Sequence, residues 1–314
     1  LGDKNQEHCT VYNMMRLAEY LYRWTGDPVY ADYWERNLWN GILAQQHPDT
    51  GMVAYFLPLH PGAVKTWGTP TEDFWCCHGS LVQAHTVYAN HIAYADDRGI
   101  VLAQWIPGEI TWQVDGVAVK IRLEADTQLQ SHHRPSTNAF RIRILCDQTV
   151  DFSLRLRIPW WIAEKPEVNL NGVSSTADVL PSNYLEIKRT WQDDQVQIKL
   201  PRRLVAVPLP DDSKMIGLMD GPIVLAGLNP GQAETRGREK SGDAKEYRPN
   251  YSIDGLSLYG EAAHPWSFLT PDNEREWFYW RGDYRTVGQP TNFRLIPLHE
   301  VRDEVYTVYF EIRD

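Results

Sequence analysis

Three of the chain's four cysteines, together with one glutamate, have a spacing that could build a metal site. Cys76 and Cys77 are adjacent in the stretch FWCCHGS, and Glu7 stands two residues before Cys9. One carboxylate and three sulfurs make up a complete tetrahedral ligand set for zinc. The residue types are therefore compatible with a Zn²⁺ site formed by Glu7, Cys9, Cys76 and Cys77.

Other interpretations of these residues stay open. A cysteine is often a small buried apolar side chain, so the adjacent pair can belong to the core. Cys9 can also form a disulfide with Cys76 in an oxidising compartment, although four cysteines do not predict a disulfide scaffold. Cys146 is predicted to be a core residue. His78 and His85 can orient the ligands, or His85 can lie on a helix surface.

The backbone must bring the two pairs together. Glu7 and Cys9 precede the first helical pattern, and residues two apart in an extended segment point the same way. Adjacent cysteines converge only if the chain turns between them, and Gly79 provides some of that freedom. Ser80 is predicted to cap the helix that follows. We expect both pairs to face one point.

Residues 10 to 97 are predicted to be mainly helical. Thr25-Gly26 ends a first helix and Asp27-Pro28 begins a second, which runs to about Gln45. A loop from His47 to Gly62 contains a short extended piece, residues 52 to 57. The first helix has an apolar face with a spacing of three and four residues. Its members are Val11, Met14, Met15, Ala18, Leu21 and Tyr22.

From about residue 98 the apolar period changes to two, which predicts an antiparallel sandwich. Asp115-Gly116 and Asn171-Gly172 are typical hairpin turns. Residues 221–228 predict a buried strand, and the C-terminal tail predicts two more. The charged stretch 229–250 and His132-His133 are predicted to be solvated loops. The alternating segments are VAVKIRLEA, FRIRILC, DFSLRLRIP, YLEIKRTW and VQIKLP.

The overall composition excludes some classes of partner. The net charge of −10 argues against binding to nucleic acid, which requires a concentrated basic face. No apolar run is long enough for a membrane span.

The first residues do not form a signal peptide, and we expect the chain to begin inside a larger protein. Thiolates on zinc favour a cytoplasmic location. The oligomeric state cannot be read from the sequence.

The segment QEHCTVYNMMRLAEYLYRWTGDPVYADYWERN, followed by AYFLPL and FWCCHGS, resembles the β-L-arabinofuranosidase glycoside hydrolase family. The resemblance covers most of the chain. It implies an α+β multidomain fold, with the C-terminal part of an (α/α)6 barrel followed by antiparallel, jelly-roll-like β-sandwich domains. We therefore predict a helical segment 1–97, a β-sandwich 98–210 and a second β-rich domain 211–314.

The resemblance also implies roles for individual residues. Cys76 is the expected nucleophile, and it binds zinc together with Glu7, Cys9 and Cys77. Tyr55 and His78 are expected to contact the substrate. The family's general acid/base glutamate would precede residue 1. The chain has E-H-C where the family usually has E-T-C, which leaves the sugar open.

The predicted function is that of a retaining exo-glycosidase with a carbohydrate partner. It would release terminal β-L-arabinofuranose from glycans or glycoconjugates through a zinc-bound cysteine nucleophile. One alternative is a glycosidase for a different sugar at the same zinc–thiolate site. Another is a non-catalytic sugar-binding protein that has a structural zinc and uses its Trp and Tyr side chains as platforms.

Overall fold

The structure, a computed structural model, describes residues 4–129, 136–229, 256–272 and 283–313. These residues form an α+β fold with three α-helices and two β-sheets. The predicted loop at His132-His133 lies outside the described residues, as does the charged stretch after Asn229. The helices are α1 (His8–Thr25), α2 (Pro28–Asn37) and α3 (Cys76–Val87).

Helix α1 ends where the sequence predicts. Gly26 has a φ of +67°, and its N–H donates to the carbonyl of Tyr22 at 2.7 Å. A residue without a Cβ adopts this left-handed conformation at little cost. The buried face of α1 is narrower than predicted, because Met14 is 44% exposed. Val11, Met15, Ala18 and Tyr22 are buried.

Helix α2 begins as predicted but ends early. The carboxylate of Asp27 accepts the N–H of Val29 at 3.0 Å, which caps the helix. Regular α-helix stops at Asn37, and a π-helical turn (Leu38–Ile42) and a 3₁₀ turn (Leu43–Gln45) follow. The side-chain amide of Asn40 donates to the carbonyl of Arg36 at 2.8 Å. In an α-helix that carbonyl would accept the Asn40 backbone N–H, so the side chain competes with the helical pattern.

Helix α3 begins at Cys76, four residues before the predicted cap at Ser80. Its first turn opens with a hydrogen bond from the N–H of His78 to the carbonyl of Trp75 at 3.0 Å. Gly79 lies inside the helix, so it does not provide the predicted turn between the cysteines. Both predictions were wrong, and Cys76 and Cys77 occupy the first helical turn.

The chain folds into two compact units that combine segments distant in sequence. The described residues of one unit come from Leu1–Arg16, Arg36–His85 and Leu204–Asp314, and those of the other come from Leu17–Glu35 and Thr86–Arg203. The predicted division into 1–97, 98–210 and 211–314 follows chain order, and it stays a prediction.

The unit that contains Thr86–Arg203 holds an eight-stranded sheet. The predicted turns are confirmed, since Asp115-Gly116 joins β3 to β4 and Asn171-Gly172 joins β6 to β7, all with positive φ. The strands are β1 (Ala93–Asp96), β2 (Gly99–Leu102), β3 (Gly108–Val114), β4 (Val117–Ala125), β5 (Thr137–Ile158), β6 (Glu167–Leu170), β7 (Val173–Thr176) and β8 (Asn183–Pro201).

Two strands of this sheet are longer than the alternating segments suggest. FRIRILC and DFSLRLRIP both belong to β5, and YLEIKRTW and VQIKLP both belong to β8. The β5–β8 register shifts between Leu145 and Val150, which lets the strands continue through the polar stretch. Strand β2 pairs in parallel with β5, so the sheet is not purely antiparallel.

A buried arginine connects this sheet to helix α2. Arg157 of β5 is 0% exposed and pairs with the carboxylates of Asp32 and Glu35. Trp161 donates its indole N–H to Glu35 at 2.9 Å. Burial raises the pKa of Glu35, whereas the charge of Arg157 opposes that rise. Two of the three acidic residues of the family-like segment TGDPVYADYWERN, Asp32 and Glu35, therefore have a structural role here.

The second sheet lies in the unit that contains Leu204–Asp314. The predicted strand at 221–228 is confirmed as β11, and the C-terminal tail forms three short strands where two were predicted. The parallel pair β12–β17 again departs from an antiparallel sheet. The strands are β9 (Leu204–Pro208), β10 (Met215–Asp220), β11 (Ile223–Leu228), β12 (Ser257–Tyr259), β13 (Leu269–Pro271), β14 (Tyr284–Thr286), β15 (Arg294–Pro297), β16 (Tyr306–Thr307) and β17 (Tyr309–Arg313).

Candidate metal centre

The fold brings the four predicted ligands to one place. The sulfurs of Cys9, Cys76 and Cys77 and a carboxylate oxygen of Glu7 all lie within 4.8 Å of one another. The sulfurs of Cys9 and Cys77 are 3.5 Å apart. All four residues belong to the same compact unit, although the two pairs are separated by more than sixty positions in the sequence.

Glu7 and Cys9 stand at the beginning of α1. The carbonyl of Glu7 accepts the N–H of Val11 at 3.1 Å, and Cys9 lies in the first helical turn. The predicted extended arrangement is therefore wrong for Cys9. Gln6 has a φ of +50°, so the chain turns sharply just before Glu7. This turn, together with the first turn of α1, gives the two side chains a common centre.

Both helices present their N-terminal turns to the centre, because Cys76 and Cys77 lie in the first turn of α3 and Cys9 lies in the first turn of α1. The N-terminus of a helix carries unpaired N–H groups and the positive end of the helix dipole. Negative charge is favoured there, and cysteine pKa values fall at such positions. The arrangement thus offsets part of the repulsion among thiolates and a carboxylate.

Tyr55 lies beside two of the four ligands. Its hydroxyl donates to Glu7 at 3.5 Å and lies 3.7 Å from the sulfur of Cys76. The carbonyl of Tyr55 accepts the N–H of His8 at 3.1 Å, which holds its strand-like segment against the start of α1. The predicted extended piece, residues 52 to 57, is confirmed only as two isolated bridges, Gln46 with Val53 and Ala54 with Trp67.

The three clustered thiols differ in their acidity. A hydrogen bond with Cys9 lowers the pKa of Cys76 against the opposing effect of burial, and a hydrogen bond with Tyr55 adds to the lowering. Burial raises the pKa of Cys9 and of Cys77. Hydrogen bonding to Cys76, followed by burial, raises the pKa of Tyr55. Cys76 is therefore the thiol that ionises first.

The three thiols also differ in their exposure to solvent. Cys76 is exposed, Cys9 is half-buried and Cys77 is 0% exposed. Three sulfurs and one carboxylate oxygen in a single group are the donor types and the number that zinc prefers. The residues present therefore fit a zinc ion. They also leave one ligand, Cys76, reachable by a molecule from outside.

The two predicted histidines lie outside the group of four. His78 of α3 packs against Trp75 with ring centroids 5.3 Å apart, and both its ring nitrogens are enclosed. Burial lowers the pKa of His78 and of His85. The structure places His78 next to the cysteines. Its role in substrate binding stays a prediction, as does that of Tyr55.

Sequence reasoning missed the contributions of two residues near the centre. The hydroxyl of Ser80 donates to the sulfur of Cys9 at 3.1 Å. Its position four residues after Cys76, on the same face of a helix, was an available signal. His8 is 0% exposed, and burial followed by the charges of His85 and His78 lowers its pKa to about 4. At neutral pH, His8 is therefore an uncharged, buried side chain between Glu7 and Cys9 in the sequence. Cys146 is not among the four grouped residues, and it is half-buried in β5.

The fold and the site define an α+β protein in which three cysteines and one glutamate, grouped at two helix N-termini, could hold a metal ion. Comparison with known protein families shows to which family the chain belongs. The β-L-arabinofuranosidase GH127 catalytic domain matches residues 2–90, and the GH127 middle domain matches residues 99–202. These two matches cover more than half of the chain, which belongs to the GH127 β-L-arabinofuranosidase family.

Solved structures agree in fold. A glycoside hydrolase superposes with a TM-score of 0.75 at 18% identity, over 99% of this chain and 53% of that one. A GH127 β-L-arabinofuranosidase from Geobacillus stearothermophilus T6 gives 0.70 at 19% identity, over 99% and 51%. A further GH127 β-arabinofuranosidase gives 0.73 at 19% identity, over 99% and 50%. The chain spans about half the length of these relatives.

A search of curated proteins gave no match. Among the described residues, no helix has the length and apolar character that crossing a membrane requires.

Proposed function

We propose that the protein is a retaining glycoside hydrolase that releases terminal β-L-arabinofuranose and uses Cys76 as its nucleophile. The observation that carries this proposal is the exposed, acidified thiol of Cys76 within a group of four potential metal ligands. Membership in the GH127 family supports the sugar. The (α/α)6 barrel, the three-domain division and a cytoplasmic location belong to the same proposal.

Glu7, Cys9, Cys76 and Cys77 would hold Zn²⁺. When bound, zinc would keep the sulfurs ionised at neutral pH and make the Cys76 sulfur a better leaving group. The protein itself supplies the remaining conditions. Two helix N-termini stabilise negative charge, and the hydroxyl of Tyr55 is within hydrogen-bonding distance of the sulfur of Cys76.

The reaction has two displacements. First, the sulfur of Cys76 attacks the anomeric carbon, and the bond to the leaving oxygen breaks as that oxygen takes a proton from the general acid. Second, water attacks the same carbon, gives its proton to that group and breaks the carbon–sulfur bond. Two inversions retain the configuration. The acid/base group would be a glutamate, as the family resemblance implies.

A purely structural metal site is the less favoured alternative. Structural zinc sites are closed by four protein ligands, whereas here one of the four, Cys76, is exposed while Cys77 is fully buried. This difference favours a reactive thiol. A glycosidase for another sugar would use the same four residues, so a panel of aryl glycosides distinguishes the two enzymatic possibilities.

Cys76→Ser tests the proposal, with Cys146→Ser as the matched control because Cys146 lies outside the group. We expect Cys76→Ser to abolish release of L-arabinose from an aryl β-L-arabinofuranoside and Cys146→Ser to retain it. Intact-mass measurement after rapid quenching should detect one sugar on the wild type. Arabinose release by Cys76→Ser at the wild-type rate would overturn the proposed nucleophile.

A further inference from the structure

Residues 63–68, which we call the strap, contact both the C-terminal sheet and the segment beside the metal centre. At its beginning, Ala63 pairs with Tyr306 of β16 through two backbone hydrogen bonds of 2.8 and 2.9 Å. The N–H of Gly62, just before the strap, donates to the hydroxyl of Thr307 at 3.1 Å. The first residue of the strap is therefore hydrogen-bonded to a strand of this sheet.

Lys65 anchors the middle of the strap. It is 2% exposed, and its amino group donates to the carbonyls of Leu298 and Val301, each at 2.8 Å. The rings of Trp67 and Tyr306 lie 5.5 and 6.0 Å from its Nζ. Lysine is almost never fully buried unless its polar group is paired. Burial lowers the pKa of Lys65 to about 7. Both the ammonium and the neutral amine have at least two N–H bonds, so both can serve the two carbonyls.

The end of the strap holds the segment that carries Tyr55. Trp67 forms an isolated bridge with Ala54, and the N–H of Gly68 donates to the carbonyl of Val53 at 2.9 Å. Tyr55 follows directly, with its hydroxyl against Glu7 and Cys76. A displacement of the strap would therefore move a side chain that touches two of the four ligands.

Gly68 also contacts the residues on either side of the cysteine pair. A Cβ at this position would lie 2.9 Å from the Cε1 of His78 and 3.1 Å from the Cζ3 of Trp75. These separations are shorter than the carbon–carbon distance at which two atoms attract best. Both rings must shift if any side chain is added here. Since Trp75 and His78 flank Cys76-Cys77, such a shift would act on the first turn of α3.

We propose that Lys65 and Gly68 are positioning residues that hold the four-ligand group in shape from the C-terminal sheet. The proposal rests on the metal centre described above and does not depend on which sugar the protein cleaves. Neither residue touches a ligand atom. Each acts through Tyr55, Trp75 or His78, in the way that outer-shell partners orient metal ligands in other proteins.

Zinc affinity tests the proposal. Zn²⁺ binding is measured by competition with a chelating dye for the wild type, Lys65→Met and Gly68→Ala. We expect both variants to bind zinc at least about tenfold more weakly, as is usual when outer-shell partners are lost. The control is Leu258→Ala, which opens a cavity in a core cluster of the same unit that does not include the strap. It should lower the melting temperature and keep the wild-type affinity.

A second measurement uses metal-free protein and separates this inference from the proposed catalysis. Cysteine alkylation by iodoacetamide is followed by peptide mass spectrometry. In the wild type Cys76 should react well before the buried Cys77, and Lys65→Met should reduce that preference. Wild-type affinity and preference in Lys65→Met would overturn the proposal, and so would equal losses in Leu258→Ala. Loss of the zinc site without any sugar release by the wild type would support positioning while rejecting the glycosidase.

Discussion

Ser80 donates a hydrogen bond from its hydroxyl to the sulfur of Cys9 across 3.1 Å. Ser80 lies on α3 and Cys9 on α1, 71 positions apart in the chain. The first turns of α3 therefore place two sulfurs in the candidate metal site and also donate a hydrogen bond to a third. A hydrogen bond of this kind fixes the direction of a ligand atom before a metal binds, and it lowers the cost of assembling the site.

Ser80→Ala should weaken zinc binding by about tenfold, because the sulfur of Cys9 loses the donor that orients it. Competition with a chelating dye measures this change. The control is Val82→Ala on the same helix, since the Val82 side chain is 65% exposed. Equal zinc affinities for Ser80→Ala and the wild type would show that the hydrogen bond does not support the site.

Cys9→Ala should remove bound zinc from the purified protein, because three ligands hold the ion far less tightly than four and the helix N-terminus loses its thiolate. Elemental mass spectrometry should give one zinc per chain for the wild type. Cys146→Ala is the control and should retain the metal, because Cys146 is outside the group of four. Zinc that stays bound in Cys9→Ala would mean that the ion sits elsewhere.

His91 should make stability depend on pH. It is 4% exposed, its ring centroid lies 4.4 Å from that of Trp34, and it contacts the hydroxyl of Tyr94 at 3.1 Å and Glu19 at 3.9 Å. Burial lowers its pKa from 6.5 to about 4. Below pH 6.5 His91 is protonated in the unfolded chain, whereas in the folded chain it stays neutral until the pH approaches 4. Stability should therefore fall as the pH falls from about 6.5 to about 4.

Within that window His91 should add up to about 1.4 kcal/mol per pH unit to the slope, in addition to the contribution of His8, whose pKa is also lowered to about 4. Urea titrations at several pH values measure it, and His91→Gln should flatten the curve relative to the wild type. His264→Gln, at an exposed position, is the control and should leave the slope intact. A wild-type slope in His91→Gln would mean that other groups cause the dependence.

Arg157→Met should destabilise the protein by about 3–5 kcal/mol, because it leaves the carboxylates of Asp32 and Glu35 buried without their cation. Urea unfolding measures the loss. Lys199→Met breaks an exposed ion pair with Glu167 on the same sheet and should cost less than about 1 kcal/mol. Similar losses in the two variants would contradict the structural role of Arg157.

Much of the local structure follows from short-range patterns. The end of α1 at Gly26, the cap at Asp27 and the turns at Asn171-Gly172 depend on residues within a few positions of one another, so spacing alone predicts them. The start of α3 was mispredicted for the same reason. Ser80 is a good cap by type, but its hydroxyl is used by Cys9, which no local pattern reveals.

In the candidate site, too, the sequence predicts some features and leaves others to the tertiary structure. Residue types determined that Glu7, Cys9, Cys76 and Cys77 suit zinc, because ligand chemistry belongs to the side chains themselves. The sequence also determined the period of the helices and strands that carry them. It did not determine which cysteine is exposed, since burial depends on what the rest of the chain packs against it.

The tertiary structure decided the contacts between distant segments. It placed the two ligand pairs within 4.8 Å, brought Tyr55 to Cys76, and set Arg157 of β5 against Asp32 of α2. Each contact joins residues that lie more than twenty positions apart, whereas periodicity and capping extend over only a few. The physical reason is that such contacts form only when apolar burial packs whole elements together, and this packing is a property of the entire chain.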